Sequence, residues 1–378
     1  LPHIKPIQRA SHLRRGIQAM NEHPYDNLQP SAFWRTGVTQ ENPNALKAIY
    51  IKKYSIRRQT KIVTSGSCFA QHIARHLLKR GYNVLNFEPP PPGLSADLHL
   101  KYGFSTYSAR YGNIYTTKHL LQLAREAAGD WSPADWIWER DGRFYDAFRP
   151  SIEPIGLASP DEVIAHRRYH IEKTKQLFMQ LDLFIFTLGL TEMWIHKETG
   201  TAYPIAPGVI AGKFDPVIHA FKNAGFNEVV KDFNRFRKTV KKIRGGRPFR
   251  ILLTVSPVPL TATASSSHIL VSSVYSKAVL RAAAGKISAG KKRIDYFPSY
   301  EIATNPKLRS TSFSDNLRSI KNEAVDIIME HFFSAHSNAT FCLPKPLPPS
   351  KEQAVVGTSE KNPEQLQCEE SLLDAFGQ

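Results

Sequence analysis

Apolar runs of strand length alternate with stretches of helical periodicity from residue 61 onward. The clearest strand, at residues 183–188, is an unbroken run of apolar and β-branched residues, which is typical of a parallel strand covered on both faces. The pattern predicts strands at residues 61–65, 82–87, 183–188, 249–255 and 294–297, and helices at 69–80, from 116, and at 159–180, 227–243, 274–286 and 317–333. This alternation predicts an α/β fold with a doubly wound parallel sheet.

The two ends of the chain differ in composition from this middle part. Residues 1–21 are basic and lack an apolar period, so we expect a flexible arm there. Residues 336–378 join a proline-rich stretch to a polar end, which is typical of a disordered tail. One large domain is therefore expected at residues 22–335, and a 42% share of apolar residues in the chain is enough for its core.

The net charge and the number of cysteines indicate which kinds of partner and which cell compartment to expect. The formal net charge of +17 favours a polyanionic partner. The densest basic run, at residues 235–250, mostly continues an amphipathic helix, and no nucleic-acid motif accompanies it. We therefore expect a solvated helix face there and no nucleic acid as partner. The three cysteines, at positions 68, 342 and 368, are too few for a disulfide framework, which favours a reducing cytoplasm.

The sequence contains no motif that predicts a membrane span, a bound cofactor or a metal site. No stretch approaches the roughly 20 apolar residues that cross a bilayer, and the first residues lack the apolar run of a signal peptide. Neither a Walker loop nor a dinucleotide glycine fingerprint occurs, so no nucleotide cofactor is expected. His166 and His170 share one helix face, but Arg167 and Arg168 beside them disfavour a cation, and no metal site is expected.

Cys68 lies in the most informative motif, Gly-Ser-Cys-Phe-Ala at residues 66–70, where a predicted strand turns into a helix. The first N–H groups of a helix have no partner within it, and their partial positive charge stabilises a thiolate or an oxyanion. This position is typical of a catalytic nucleophile. A free cysteine can also be a small buried apolar residue, which is the competing interpretation.

Other polar residues follow the remaining predicted strands. Ligand sites in an open parallel sheet lie beyond the carboxyl ends of its strands, so these segments are expected to meet. The residues concerned are Gly189, Thr191 and Glu192 after strand 183–188, Ser256 after strand 249–255, and Tyr300 and Glu301 after strand 294–297.

Blocks spread over residues 24–333 resemble the GSCFA family, which is itself similar to the SGNH (GDSL-type) esterases and acyltransferases. They lie at residues 24–25, 33–34, 66–70, 112–115, 187–194, 254–260, 268, 275–277 and 295–301. The resemblance implies an SGNH-like, flavodoxin-like three-layer sandwich. It also implies acyl transfer or ester hydrolysis.

The resemblance places Cys68 where SGNH enzymes have a catalytic serine, and Ser67 where they have an aspartate. Their oxyanion glycine corresponds to Gly112 or Asn113. Their Gly-x-Asn-Asp block corresponds to residues 189–192, so that Thr191 stands where an asparagine amide is expected, which puts that donor in doubt.

The largest departure from the SGNH pattern is Arg318, which stands where the general-base histidine is expected. Arginine stays protonated near neutral pH and cannot accept a proton. We expect His268, which follows the small polar loop after Ser256, to act as the base toward Cys68, with Glu192 to orient it. A local hydrogen-bonding role for His268 is the alternative.

The sequence therefore predicts an SGNH-like esterase or acyltransferase that acts on acyl groups of a carbohydrate or an acidic polysaccharide through a cysteine nucleophile. An acyl thioester is a suitable donor for such a nucleophile. The alternative is a non-catalytic glycan-binding module on a degenerate hydrolase fold. The predicted catalytic residues are Cys68, His268 and Glu192, and the predicted oxyanion or substrate residues are Gly66, Ser67, Phe69, Gly112, Asn113, Gly189, Thr191, Ser256, Tyr300 and Glu301.

Overall fold

The computed structural model describes residues 23–336 and 369–377. The chain divides into two compact units, residues 1–49 and 50–378. The described part of the first unit contains a short 3-10 helix, Pro30–Ala32, and a π-helical turn, Arg35–Thr39. The predicted arm at residues 1–21 lies outside the described residues.

The second unit holds the strands and α-helices. The strands are β1 Ile62–Gly66, β2 Ile137–Arg140, β3 Arg143–Asp146, β4 Leu183–Leu188, β5 Glu192–His196, β6 Ala202–Tyr203, β7 His219–Asn223, β8 Arg250–Val255 and β9 Ile294–Tyr296. The helices are α1 Phe69–Lys79, α2 Ala96–Lys101, α3 Thr117–Ala127, α4 Pro160–Gln180, α5 Phe226–Ile243, α6 Ile269–Ser288, α7 Ser299–Ala303, α8 Arg309–Ser312 and α9 Asn322–His336.

The central sheet has the order β1-β4-β8-β9, and all its pairs are parallel. Val84 adds a single parallel bridge to Ile62 on the outer side of β1. The chain therefore runs outward from β1 to Val84 and then returns to β4 on the other side. This is the 2-1-3-4-5 order of flavodoxin-like folds, and its switch point lies between the carboxyl ends of β1 and β4.

Helices cover the sheet as two groups, which confirms the predicted doubly wound α/β fold. On one face α3, α4, α5 and α6 pack together, and Phe184 of β4 lies 5.1 Å from Phe236 of α5 between ring centroids. α1, α7 and α9 form the other group, with Phe297 and Phe332 packed edge to face. Successive strand residues point to opposite faces, so strands covered on both sides must be apolar throughout.

Two small antiparallel sheets lie outside the central one and were not predicted. β2 and β3 form a hairpin, and β5 pairs with both β6 and β7. The residues of β5 follow β4 almost directly, so the sequence pattern suggested only a loop there. The pairing partners of β5 are distant in the chain, and local periodicity contains no signal for them.

Several predicted boundaries differ from the structure. The predicted strand 82–87 is reduced to the Val84 bridge, because the chain turns away and the Phe87 N–H bonds Ser108 O at 2.9 Å. Helix α6 begins at Ile269 rather than 274, since the His268 side chain caps it, and α9 begins at Asn322 rather than 317.

The predicted tail at residues 336–378 lies mostly outside the described residues, but its end differs from the prediction. Residues Glu369–Phe376 form a 3-10 helix whose first two glutamates are buried. Disorder was predicted there from composition alone, and composition does not reveal a distant docking site. No helix in the described part of the chain is both long and apolar enough to cross a membrane.

Candidate functional site

The turn that carries Cys68 lies at the switch point of the sheet. Strand β1 ends at Gly66, Cys68 is the N-cap residue of α1, and its side chain is buried. Gly66 has φ +141°, and a Cβ there would lie 2.5 Å from Thr187 O on β4. Only glycine allows β1 and β4 to approach this closely at the point where the chain turns.

We expect Gly66→Ala to lower the free energy of unfolding by roughly 2–5 kcal/mol, because it combines backbone strain with overpacking against β4. Gly81→Ala is the matched control. Gly81 also has positive φ, but nothing lies within 4 Å of its added Cβ, so we expect a loss of about 1 kcal/mol. Urea unfolding of both variants measures the difference, and equal losses would contradict this account of the turn.

Backbone hydrogen bonds connect the loop at residues 112–115 to the end of β1 and to the segment that follows β4. The Ile114 N–H donates to Gly66 O at 2.8 Å. Tyr115 O accepts from the N–H groups of Gly189 at 3.2 Å and Leu190 at 3.0 Å. The loop and the segment after β4 are therefore held beside the Cys68 turn. The Gly189 N–H is used in this contact, and its role as an oxyanion donor stays a prediction.

Asn113 is buried, and hydrogen bonds hold both ends of its amide. Its Oδ1 accepts from Tyr107 Oη and from Gln71 Nε2, the latter at 3.4 Å. Tyr107 Oη also lies 3.0 Å from Ser67 O, one residue before the cysteine. Burial raises the pKa of Tyr107 well above its usual range, and the nearby Cys68 adds to this effect. The phenol is therefore neutral, and the amide Nδ2 of Asn113 is fixed as a donor.

Lys277 of α6 also lies at this site. Its side chain is buried, and its Nζ donates to Gly189 O at 2.8 Å. It is close enough to Cys68 for their charges to interact. Burial lowers the pKa of Lys277 to about 8; Glu370 and Cys68 oppose this shift and Arg318 adds to it. The amine therefore changes its protonation state near neutral pH, as a general base must.

The C-terminal segment Glu369–Phe376 supplies two carboxylates to this site. Glu369 Oε2 accepts from Asn113 Nδ2 and from Tyr115 Oη, the latter at 2.8 Å, and its Oε1 accepts from Ser151 Oγ. Glu370 Oε2 accepts from Arg318 Nη2 at 3.2 Å. The arginine that replaces the expected histidine thus holds a carboxylate.

Glu192 and Thr191 lie close to the site, at the carboxyl end of β4. Glu192 accepts from Thr263 Oγ1 at 2.9 Å, and burial raises its pKa although this hydrogen bond lowers it. Thr191 is fully buried and its N–H bonds Ser276 Oγ at 3.2 Å. Within the described residues its hydroxyl has no hydrogen-bond partner, and the same holds for Ser67. Ser256 is buried, and its Oγ accepts from the Val258 N–H.

His268 and Glu301 have other bonds. His268 is exposed, and its Nδ1 accepts from the Leu270 N–H at 3.2 Å, so it caps α6. Glu301 pairs with Arg281 and accepts from Tyr296 Oη at 2.8 Å. The roles assigned to these two residues stay predictions.

Two cavities flank the site. One of about 180 Å³ is lined by Glu192, Trp194 and Glu370. The other, of about 530 Å³, is lined by Lys277, Tyr300 and the apolar side chains of Val274 and Phe313, among others. The two cavities therefore border the site at Glu192 and Glu370 and at Lys277. No group of three or more His, Cys, Asp or Glu side chains within residues 23–336 and 369–377 could hold a metal ion.

Lys277 was not among the predicted site residues, although the sequence contains a signal for its burial. Ser273, Leu280 and Ala284 lie four residues before it and three and seven residues after it, on one helix face, and all are buried. A lysine within such a stripe must enter the core or a site. The carboxylates of Glu369 and Glu370 have no comparable signal, because their partners lie more than 50 residues away in sequence.

The sequence profile of one protein family, the GSCFA family, matches residues 61–332. The match includes the turn at Cys68, the loop with Asn113, and Lys277, and it ends before Glu369. Neither a curated protein nor a solved structure matches the chain.

Proposed function

Since the chain belongs to the GSCFA family, we propose that it is an enzyme that transfers or hydrolyses acyl groups through Cys68. The observation that carries the proposal is the buried Lys277 amine, which has a pKa of about 8 and is close enough to Cys68, at the N-terminus of α1, for their charges to interact. A buried lysine with a lowered pKa can activate a thiol that stands beside it. Such a pair has little value for stability, because burying an amine is costly.

The proposed reaction begins with the neutral Lys277 Nζ, which takes the proton of Cys68 Sγ. Sγ forms a bond to the acyl carbonyl carbon, and the resulting oxyanion accepts hydrogen bonds from Asn113 Nδ2 and the Phe69 N–H. The bond from carbon to the leaving oxygen or sulfur then breaks, and the leaving atom takes the proton from Lys277 Nζ. An acceptor hydroxyl or water gives its proton to Lys277 and attacks the thioester, and Cys68 Sγ leaves and recovers a proton.

Lys277 takes the role that the sequence suggested for His268. His268 is exposed and caps α6, whereas Lys277 is buried and its charge interacts with that of Cys68. Glu192, with its raised pKa, lines the adjacent cavity and is placed for contact with substrate hydroxyls.

Four arguments support the proposed substrate class and reaction type. Resemblance to SGNH enzymes favours an acylated carbohydrate, and the net charge of +17 favours an acidic polysaccharide. The two cavities give separate room for a donor and an acceptor, which favours a transferase, and a thiolate reacts well with an acyl thioester. A reducing cytoplasm would keep Cys68 in the thiol state that this chemistry requires.

We expect the protein to form a covalent acyl adduct at Cys68 when it is incubated with an acetyl thioester or with 4-nitrophenyl acetate. The adduct adds one acetyl group to the peptide that contains residue 68, and peptide mass spectrometry locates it. Cys68→Ala, as the control, should form no adduct there while still unfolding in one cooperative transition.

A glycan-binding module without catalysis gives a different result. It would bind saccharides equally well before and after alkylation of Cys68 and would form no adduct with either ester. Turnover that persists in Cys68→Ala would contradict the proposed nucleophile.

A further inference from the structure

Glu369 lies in a pocket built from donors. The Asn113 amide, the Tyr115 hydroxyl and the Ser151 hydroxyl all donate to its carboxylate. Gly112 lies beneath it, and a Cβ there would be 3.7 Å from Glu369 Oε1. The carboxylate is buried, at 4% exposure. Three donors therefore converge on one buried carboxylate.

The three donors lie between residues 113 and 151, whereas the carboxylate comes from the C-terminal segment Glu369–Phe376. Asn113 and Tyr115 are held by other hydrogen bonds: Tyr107 and Gln71 fix the amide, and Tyr115 O bonds the segment after β4. Asn113 Nδ2 and the hydroxyls of Tyr115 and Ser151 converge on one place, where they bind a carboxylate. A pocket with three donors arranged in this way suits a second carboxylate when Glu369 is absent.

The rest of the C-terminal segment lies over the same region. Glu370 bonds Arg318, and its charge interacts with Lys277. Glu370 and Leu373 both line the cavity of about 180 Å³ that contains Glu192 and Trp194. The segment thus occupies the donor pocket and forms part of the wall of the adjacent cavity.

We propose that Asn113, Tyr115 and Ser151 form a carboxylate-binding subsite that the chain fills with its own Glu369, and that its external ligand is the free acid of the acyl group. The second half of this inference rests on the proposed function, since that acid is the product of ester hydrolysis. In the proposed reaction Asn113 Nδ2 holds the oxyanion, so a carboxylate bound to the same donor resembles the product. The segment Glu369–Phe376 is then an intramolecular competitor of substrate and product.

The competition can be measured on the full-length chain through the rate at which iodoacetamide alkylates Cys68, followed by peptide mass spectrometry. We expect alkylation to be at least about tenfold faster in Glu369→Ala than in wild type, because the segment loses its anchor in the pocket. Acetate should slow alkylation of Glu369→Ala, whereas chloride at the same ionic strength should not. Acetate should have little effect on wild type, where the pocket is filled.

Asp374→Ala is the matched control, because Asp374 is an exposed acidic residue of the same segment. Its alkylation rate should equal that of wild type. Glu369→Gln preserves side-chain size and should also accelerate alkylation, which guards against misfolding of the alanine variant. Equal rates in wild type, Glu369→Ala and Glu369→Gln would overturn the inference. Faster alkylation without protection by acetate would overturn the carboxylate subsite.

This experiment separates the inference from the proposed function. If acetate protects the Glu369 variants but no ester forms an adduct at Cys68, the subsite stands and acyl transfer fails. If the adduct forms but alkylation is the same in every variant, acyl transfer stands and the subsite fails.

Discussion

Replacement of Lys277 by methionine is expected to lower the rate of acyl transfer by about 100- to 10,000-fold, the usual contribution of a general acid–base group. Methionine fills similar space, so the buried helix face of α6 is preserved while the amine is lost. The loss should be larger for an alkyl ester than for 4-nitrophenyl acetate. An alkoxide must be protonated as it leaves, whereas nitrophenolate leaves readily without a proton.

The pH dependence provides a second measurement of the same group. Wild-type activity should rise with pH and level off above about 8, because the amine loses its proton there and only the neutral form accepts a proton from Cys68. The charged groups that face the amine, Glu370, Cys68 and Arg318, all belong to the site. The limb near pH 8 should be absent from Lys277→Met.

Two further variants distinguish a base from a mere positive charge. Lys277→Arg keeps the charge, which stabilises a thiolate, but arginine cannot accept a proton, so it should be nearly as inactive as Lys277→Met. His268→Ala should change the rate less than tenfold, because His268 caps α6 and is exposed. The opposite result would identify His268 as the base. In that case the rise of activity near pH 8 would be lost in His268→Ala and kept in Lys277→Arg.

The central sheet and its helices could be predicted from the sequence because their signals are local. Leu183–Leu188 is apolar throughout, and Ser159 marks the start of α4 with a capping serine followed by proline, so both elements were predicted within a residue. The Cys68 turn was found in the same way, because glycine marks the place where strand becomes helix. Strand periodicity combined with the switch-point rule was enough to locate the site edge.

What could not be predicted depends on contacts between distant residues. Strand β5 pairs with β7, and Glu369 meets Asn113 across 256 residues, and neither pairing leaves a pattern within a short window. The predicted base, His268, was chosen by residue type, and its role stays a prediction. The burial of Lys277, on which the proposed base rests, could have been predicted from its helical spacing with buried Ser273 and Leu280. Burial determines which titratable group can act, and periodicity reports burial.

Replacement of Arg167 by methionine is expected to lower the free energy of unfolding by about 3–5 kcal/mol, the usual cost of removing one partner of a buried ion pair. Arg167 of α4 is buried, and its Nη1 donates to both carboxylate oxygens of Asp146 at 3.0 and 2.9 Å. Its Nε donates to Glu126 at 2.7 Å, and its guanidinium lies 4.5 Å from the centre of the Phe148 ring. Without the Arg167 guanidinium, the carboxylates of Asp146 and Glu126 lose the cation that they share, which destabilises the folded state.

Urea unfolding of Arg167→Met measures this loss, and Arg168→Met is its control on the same helix. Arg168 is exposed, so we expect a change within about 0.5 kcal/mol. Adding Glu126→Gln to Arg167→Met should recover part of the stability, because it removes one of the unpaired charges. A loss below about 1 kcal/mol in Arg167→Met would mean that Arg149 alone neutralises Asp146.

The loss should also extend to the candidate site, because Asp146 bonds a second arginine, Arg149, which lies against the loop at residues 112–115. Burial opposes ionisation of Asp146, but Arg167 and Arg149 outweigh it and hold its pKa below the usual range. Arg149 donates to Asp146 at 2.8 Å and to Arg110 O at 3.1 Å, and its Cβ would lie 3.5 Å from a Cβ on Gly112. Arg167→Met should therefore reduce acyl transfer even at urea concentrations well below its unfolding midpoint, since the loop that carries Asn113 loses part of its support.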